Sequence, residues 1–306
     1  MTVKLKHTVS ALLLVLTALI WGIAFVAQSV GGDVVGPFTF LSSRSLIAGT
    51  ALLPLVAWRR RIGALPKNRA EGKTLLIGGI ACGCVLVVAS AFQQIGIGGT
   101  TVGKAGFITA LYIVMVPILG IFLKKKIPLA VWLGVLIAAA GMYLLCINEG
   151  FSISRGDFFV LICAVCYAVH ILVIDRFSPL TDGVTMSCIQ FYTCGILSGV
   201  IMLIFEQPSF SAILSAWLPI LYAGLFSSGV GYTLQIIAQK NVQPTVASLL
   251  MSLESVFSVL AGWVLLGQSL SAKELFGCAL VFVAIVLAQL PENLLSKGKN
   301  APKKNF

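Results

Sequence analysis

Charged side chains are scarce in this chain. Asp, Glu, Lys and Arg make up only 10% of its 306 residues, the acids number ten, and histidine occurs twice. A soluble protein of this length needs a polar shell that such a composition does not supply. Long polar tracts are also missing, so no soluble domain fits between the apolar stretches. HExxH, a phosphate loop and a nucleophile elbow are all absent. Gly96-x-Gly98-Gly99 has no strand before it and reads as a turn, not a dinucleotide site. Eight cysteines are present, all in apolar surroundings where the thiol acts as a small hydrophobe, and they form no disulfide framework. Cys163, Cys166 and His170 share a helix face, but no second cysteine pair has matching spacing and a zinc site needs further ligands. No catalytic residues, metal or cofactor are therefore expected.

What is present is apolar sequence: 58% of residues are hydrophobic and the mean hydropathy is +1.03. Ten apolar runs cover 8–30, 35–57, 74–97, 100–123, 129–148, 157–177, 183–205, 211–239, 242–266 and 272–290. A helix rising ~1.5 Å per residue needs about 20 residues to cross a hydrocarbon core of ~30 Å. The first run is longer than the 7–15 residues of a signal-peptide core and no small-x-small cleavage site follows, so it reads as a mature helix. The expected fold is an all-α integral membrane bundle, because backbone amides in lipid must be bonded within a helix.

The net charge of +11 reports orientation rather than a nucleic-acid partner. With a cytoplasmic amino terminus, seventeen cations fall on the inner side, including Arg59–Arg61, Lys124–Lys126 and the tail lysines 297, 299, 303 and 304. Only Arg155 and Lys273 fall outside, and Arg44 and Lys104 lie within spans. That split follows the positive-inside rule and puts both termini in the cytoplasm of a plasma-membrane protein, with anionic headgroups as contacts.

A weak internal repeat is legible. Ala18, Trp21 and Gly22 match Ala164, Tyr167 and Ala168 at an offset of 146, and Arg44, Ala48 and Gly49 match Gln190, Cys194 and Gly195. Further on the offset is 142, pairing Gln93 with Gln235, Ala105 with Ala247, Leu111 with Leu253 and Gly120 with Gly262. Five spans per half is an odd number, so the halves enter the membrane in opposite senses. Ten transmembrane helices in two inverted five-helix repeats, 8–148 and 157–290, with a basic cytoplasmic tail at 291–306, is the expected architecture. It is that of secondary carriers, whose site lies at the repeat interface near the bilayer midplane.

Trp21-Gly22, the Arg44-x3-Ala48-Gly49 helix, FITALYIVMVP from Phe107 to Pro117 and LESVFSVLAGWVLLGQ from Leu253 to Gln268 resemble the EamA family of the drug/metabolite transporter superfamily. The resemblance covers residues 10 to 290. It implies ten helices in two repeats, transport of small metabolites such as amino acids, and a cavity lined by helices 1, 3, 4, 6, 8 and 9, with 5 and 10 peripheral. Ser255 stands where the family often has proline, and Gln268 where a glutamate is common.

Four ionisable groups lie within spans: Arg44, Lys104, His170 and Glu254. A charge near the bilayer centre costs about 2.5–3.5 kcal/mol, so each should face the bundle or water. Their repeat mates, Gln190, Val246, Ala24 and Tyr112, are not ionisable, which favours function over scaffolding. Glu254, the midplane acid, is the candidate for proton coupling. Arg44 either binds a solute carboxylate or braces the bundle; the resemblance leaves helix 2 out of the lining set and favours the brace. Lys104 lies about one turn inside the outer end, where it can snorkel, and His170 has packing as its rival role. Polar and aromatic residues share helix faces at Trp21, Phe25 and Gln28, at Ser90, Gln93 and Gln94, at Tyr167 and His170, and at Ser228, Tyr232 and Gln235. These complete the candidate substrate-binding set.

The function expected is export of a small organic solute by alternating access. Two cations against one acid favour a carboxylate-bearing solute. The alternatives are an efflux carrier for cationic or neutral drug-like compounds, and a channel, scramblase or structural partner. Expected partners are the solute, the lipid bilayer and a second copy of the chain in a homodimer; nucleic acid is not among them.

Overall fold

The computed structural model describes residues 3–64, 66, 68–124, 127, 129–146, 154–267 and 271–289. The tail 291–306, most of the 149–156 loop, Lys125, Lys126 and Gln268 lie outside them. The described residues are helical throughout, with no strand. In chain order the principal helices are α1 (Val3–Gly32), α2 (Pro37–Arg61), α3 (Arg69–Ile97), α4 (Val102–Phe122), α5 (Leu129–Cys146), α6 (Arg155–Phe177), α7 (Gly183–Phe205), α8 (Trp217–Ala238), α9 (Pro244–Leu266) and α10 (Ala272–Gln289). A short helix, Phe210–Ser215, precedes α8.

Eight of these, α1–α4 and α6–α9, are long and apolar enough to cross a membrane. In α5 and α10, expected as the fifth and tenth spans, the described apolar stretches are shorter, Val131–Gly141 and Leu275–Ile285. Large apolar side chains cover the outside, Phe122 at 79% exposure and Phe205 at 78% among them. Such a surface is stable only against lipid.

Helix starts are written locally. Asn68 accepts the amide of Glu71, Ser154 and Asp157 form a reciprocal capping box, Asp182 accepts the amide of Thr185, and Pro37 and Pro244 open α2 and α9. At the end of α9, Gly267 takes the left-handed conformation (φ 66°) that closes the last turn.

Three helices depart from regular geometry. In α4, Leu111 separates Val102–Ala110 from Tyr112–Phe122. The Val114 amide there also reaches the Leu111 carbonyl three residues back at 3.0 Å, and Pro117 withdraws an amide from the following ladder. In α9, Ser252 separates Pro244–Met251 from Leu253–Leu266. The hydroxyls of Ser252, Ser255 and Ser258 each donate to the carbonyl three residues earlier at 2.7–2.8 Å, a competition with the ladder that bends helices. Ser255 thus contributes to the break in α9. In α8 the ten residues Ala223–Tyr232 are π-helical.

α2 packs on α7, α3 on α6 and α7, α1 on the second half of α9, and α5 and α10 chiefly on each other. Glycine permits a close crossing of α1 and α9. A Cβ on Gly22 would lie 2.8 Å from the carbonyl carbon of Phe257 and 2.9 Å from the amide nitrogen of Ser258, so α1 and α9 touch backbone to side chain and backbone. The core so formed surrounds a small polar cavity.

Candidate functional site

The cavity lies among α1–α4, α6, α8 and α9. Its room for the centres of water molecules is about 30 Å³, enough for one or two waters. From α1 come Trp21, Phe25 and Gln28, aligned by their i, i+4, i+7 spacing; from α2, Arg44; from α3, Gln93. The break in α4 presents Thr109 and Tyr112. Tyr167 and His170 enter from α6, and the π-helical stretch and its continuation in α8 bring Ser227, Tyr232 and Gln235. Glu254 enters from the first turn after the break in α9.

Tyrosine hydroxyls knit one wall together. Tyr232 donates to the Tyr167 hydroxyl (3.1 Å), which donates to Gln93 Oε1 (3.2 Å) and pairs with Ser90 Oγ (3.1 Å). Gln93 Nε2 continues the chain to Thr109 Oγ1 (3.3 Å). His170 Nε2 pairs with Gln190 Oε1 at 3.0 Å. The Tyr232 ring lies 4.6 Å from that of Trp21, 5.7 Å from Phe191 and 5.8 Å from His170, centroid to centroid. Trp21 Nε1 donates to the Ser227 carbonyl (3.1 Å), tying α1 to the π-helical wall.

Arg44 and Glu254 are each 3% exposed, and no ion pair joins them. Arg44 Nη1 donates to Gln28 Oε1 at 3.2 Å, and its guanidinium lies 5.8 Å from the Phe40 ring centroid. Three buried polar atoms of the lining, Arg44 Nε, His170 Nδ1 and Gln235 Oε1, have no hydrogen-bond partner in the protein, and Tyr112 Oη and Glu254 Oε1 face only one another. Buried polar groups are nearly always bonded, so their convergence here marks a place built to meet something polar. The set includes a guanidinium donor for an anion and a carboxylate acceptor for a cation.

Ten of the candidate residues named from sequence line the cavity. Ser90 stands behind Tyr167, and Ser228 is buried next to the lining residue Ser227. Gln94 lines a separate void, with its Nε2 on the Gln28 carbonyl at 2.9 Å. Lys104 is not at the cavity. Its ammonium pairs with Asp157 at 2.6 Å, and the same carboxylate accepts Thr100 Oγ1 (2.6 Å) and the Ser154 amide (2.7 Å). The expected two-to-one balance of cations over acids at the site is therefore one to one. Thr109, Tyr112 and Ser227 were not expected, although Tyr112 had a signal as the repeat mate of Glu254. Among the described residues no three His, Cys, Asp or Glu side chains cluster as metal ligands.

Polar contacts also fasten both ends of the bundle. Near the start of α1, Arg59 from α2 grips Asp182 at the start of α7 (Nε 2.8 Å, Nη2 2.5 Å), and Lys240 Nζ donates to the Thr181 carbonyl. Burial pushes the Asp182 carboxyl up, but the Thr185 amide and hydroxyl and the Arg59 guanidinium outweigh it and hold it below the usual carboxylate value. Burial lowers the Lys240 ammonium, partly offset by Asp182. At the opposite end, Glu206 after α7 accepts from the amides of Phe38 (2.9 Å) and Thr39 (2.8 Å) and from Thr39 Oγ1 (2.6 Å), capping the start of α2.

The sequence profile of the EamA-like transporter family matches residues 8–147 and 154–290 of this chain. An uncharacterized transporter of Archaeoglobus fulgidus is 29% identical over 292 residues, covering 93% of this chain and 87% of its own. The uncharacterized inner membrane transporter YedA of Escherichia coli (strain K12) is 25% identical over 286 residues, covering 90% and 89%. A crystal structure only 20% identical superposes with a TM-score of 0.77 over 95% of this chain and 99% of that one, which makes the fold common to both.

Proposed function

Because this chain belongs to the EamA-like transporter family, a family of multi-pass membrane transporters, we propose that it is a secondary carrier of the plasma membrane. On this reading it exports a small carboxylate-bearing metabolite, an amino acid above all, by alternating access. The observation that carries it is the buried pair of unsatisfied charges. Arg44 offers a free guanidinium nitrogen and Glu254 a buried carboxylate with no cation partner in one cavity, complementary to the two ends of a zwitterion.

The ten-span, two-repeat architecture belongs to the same proposal. Repeat mates meet at the cavity: Trp21 with Tyr167, Ala24 with His170, Phe25 with Ile171, Gln93 with Gln235 and Tyr112 with Glu254 all line it. A site built from matched positions of two halves is what rocking about a pseudo-two-fold axis requires. The breaks in α4 and α9 fall at Leu111 and Ser252, within one residue of the 142 offset. With room for one or two waters, the cavity must widen before a solute enters. The cation distribution supports cytoplasmic termini.

Purified protein in lipid vesicles preloaded with unlabelled amino acids tests this. Saturable uptake of labelled amino acid, accelerated by the internal load, is the expected result. Conductance without counterflow would mean a channel. Counterflow of organic amines, without amino acids, would favour the drug-like carrier, to which Glu254 and the tyrosine faces are suited.

A further inference from the structure

A second void opens at the end of the bundle opposite the start of α1, between the end of α1, the end of α3 and the start of α2. It measures about 310 Å³, against about 30 Å³ for the central cavity. Gln28 belongs to both voids, its side chain meeting Arg44 of the central cavity and its carbonyl meeting Gln94 of this one.

The polar groups around this vestibule are unbalanced. Several of its donors are already engaged: one N–H of Gln94 Nε2 on the Gln28 carbonyl, Thr100 Oγ1 on Asp157, and the Asp33 amide on the Ser29 carbonyl. Pro37, on the same wall, has no N–H. Acceptors remain. Gln94 is only 4% exposed, and its Oε1 has no partner in the protein. The orientation of this amide is chemically fixed, because the atom facing the Gln28 carbonyl must be the donor nitrogen. Asp33 presents a carboxylate at the exposed rim and forms no ion pair among the described residues. Gly32 leaves the wall bare, and a Cβ there would lie 3.0 Å from Gln94 Nε2.

We propose that this vestibule is a second recognition site, for the ammonium or other N–H-donating end of a small organic amine, reached from the central cavity past Gln28. A buried amide oxygen and a rim carboxylate with no cation paired to it among the described residues welcome such a group and repel carboxylates. Its role as a waypoint rests on the transport reading; the recognition itself does not.

The test therefore avoids flux. Ser29, on the vestibule wall and partly exposed, is replaced by cysteine in the full chain in lipid nanodiscs. Its labelling is followed with methanethiosulfonates carrying a trimethylammonium or a sulfonate, and the unsubstituted chain corrects for native thiols. Relative to a small free thiol in solution, the cationic reagent should be favoured by roughly tenfold, the scale of one unit charge felt across a few ångströms of partly hydrated protein. Asp33→Asn, at an exposed position, should remove most of that preference. Ethylammonium should slow labelling, and Gln94→Leu should weaken this protection severalfold. Equal normalised rates for the two reagents, or a preference untouched by Asp33→Asn, overturns the proposal. So does protection by acetate equal to that by ethylammonium. Absence of amino-acid counterflow alongside cation-selective labelling would instead count against the transport reading alone.

Discussion

Arg44→Lys separates recognition from bracing at the cavity. The guanidinium is 3% exposed and has one hydrogen bond, to Gln28 at 3.2 Å, and one ring, Phe40, at 5.8 Å. A hydrogen bond to a charged group contributes about 1.5–3 kcal/mol, and a cation over an aromatic face about 0.5–2 kcal/mol. Burial of the charge at mid-membrane costs about 2.5–3.5 kcal/mol. The balance is close to zero, so this arginine has little stability to lose. Lysine keeps the charge and can keep the Gln28 bond, so the expected loss is about 1 kcal/mol or less, a few degrees at most in unfolding temperature. A solute carboxylate held by the forked donors would lose a charge-assisted bond, weakening affinity by about 10- to 150-fold. The assay pairs thermal unfolding in detergent with titration of an amino acid and of the amine left by its decarboxylation. The amino acid should bind more weakly to the variant while the amine binds as before. A fall of more than about ten degrees with amino-acid affinity intact in the folded remainder would refute the reasoning and make Arg44 a brace.

Glu254→Gln keeps the shape of the side chain beside Tyr112 and removes its charge; accumulation driven by a pH gradient should fail while exchange of bound solute persists, and unchanged pH dependence of flux would remove Glu254 from any proton pathway. Cysteine labelling from each side should report positions 4, 68 and 300 inside and 33 and 272 outside, and a reversal at 33 would invert the proposed orientation. The Asp182 carboxyl is held below its ordinary value in the folded protein, so the stability it adds is fully present above that value and is lost as pH falls through the lowered one. Asp182→Asn should flatten this acid limb of the unfolding profile, and an unaltered limb would show that the Arg59 clasp carries no linkage.

Apolar run length revealed the helices because crossing a bilayer leaves a signal of about 20 residues that needs no tertiary knowledge. Their ends were less legible. α3 begins at Arg69 rather than near residue 74, and α1 at Val3 rather than residue 8, because helices continue past the apolar run into polar surroundings. One run, 211–239, is divided at Ala216 into a short helix and α8, and the π-helical middle of α8 has no composition signature beyond its glycines. At the cavity, helical spacing placed Trp21, Phe25 and Gln28 together because a single regular helix sets their geometry. Lys104 escaped that logic. Its partner Asp157 lies 53 residues on, where it reads as an ordinary helix-capping acid, and nothing local says that the starts of α4 and α6 adjoin. Tyr112 was missed for a related reason: it looks like one more apolar-run aromatic until the break at Leu111 turns it inward beside Glu254.

The unsatisfied atoms say something about selectivity that the cavity's size does not. Arg44 Nε, His170 Nδ1 and Gln235 Oε1, at about 1–3 kcal/mol each if left dry, would together take a large share of the stability of a typical domain, and Glu254 has only Tyr112 to face it. The arrangement is tolerable only if water or solute meets them, and a buried water makes about three hydrogen bonds, so the one or two that fit can satisfy most of the set. A solute that displaces them has to replace those bonds. One that presents an acceptor to Arg44 and donors to Glu254 and Gln235 does so, and those bonds offset the desolvation of its own charged ends. One that lacks either end leaves a charge stranded in the bundle. Sites of this kind reject analogues missing a polar group far more strongly than a hydrophobic pocket rejects a missing methylene. Discrimination at this cavity should therefore fall on the charged ends of the solute, while the rings of Trp21, Tyr232 and Phe25 tolerate variation in what lies between them.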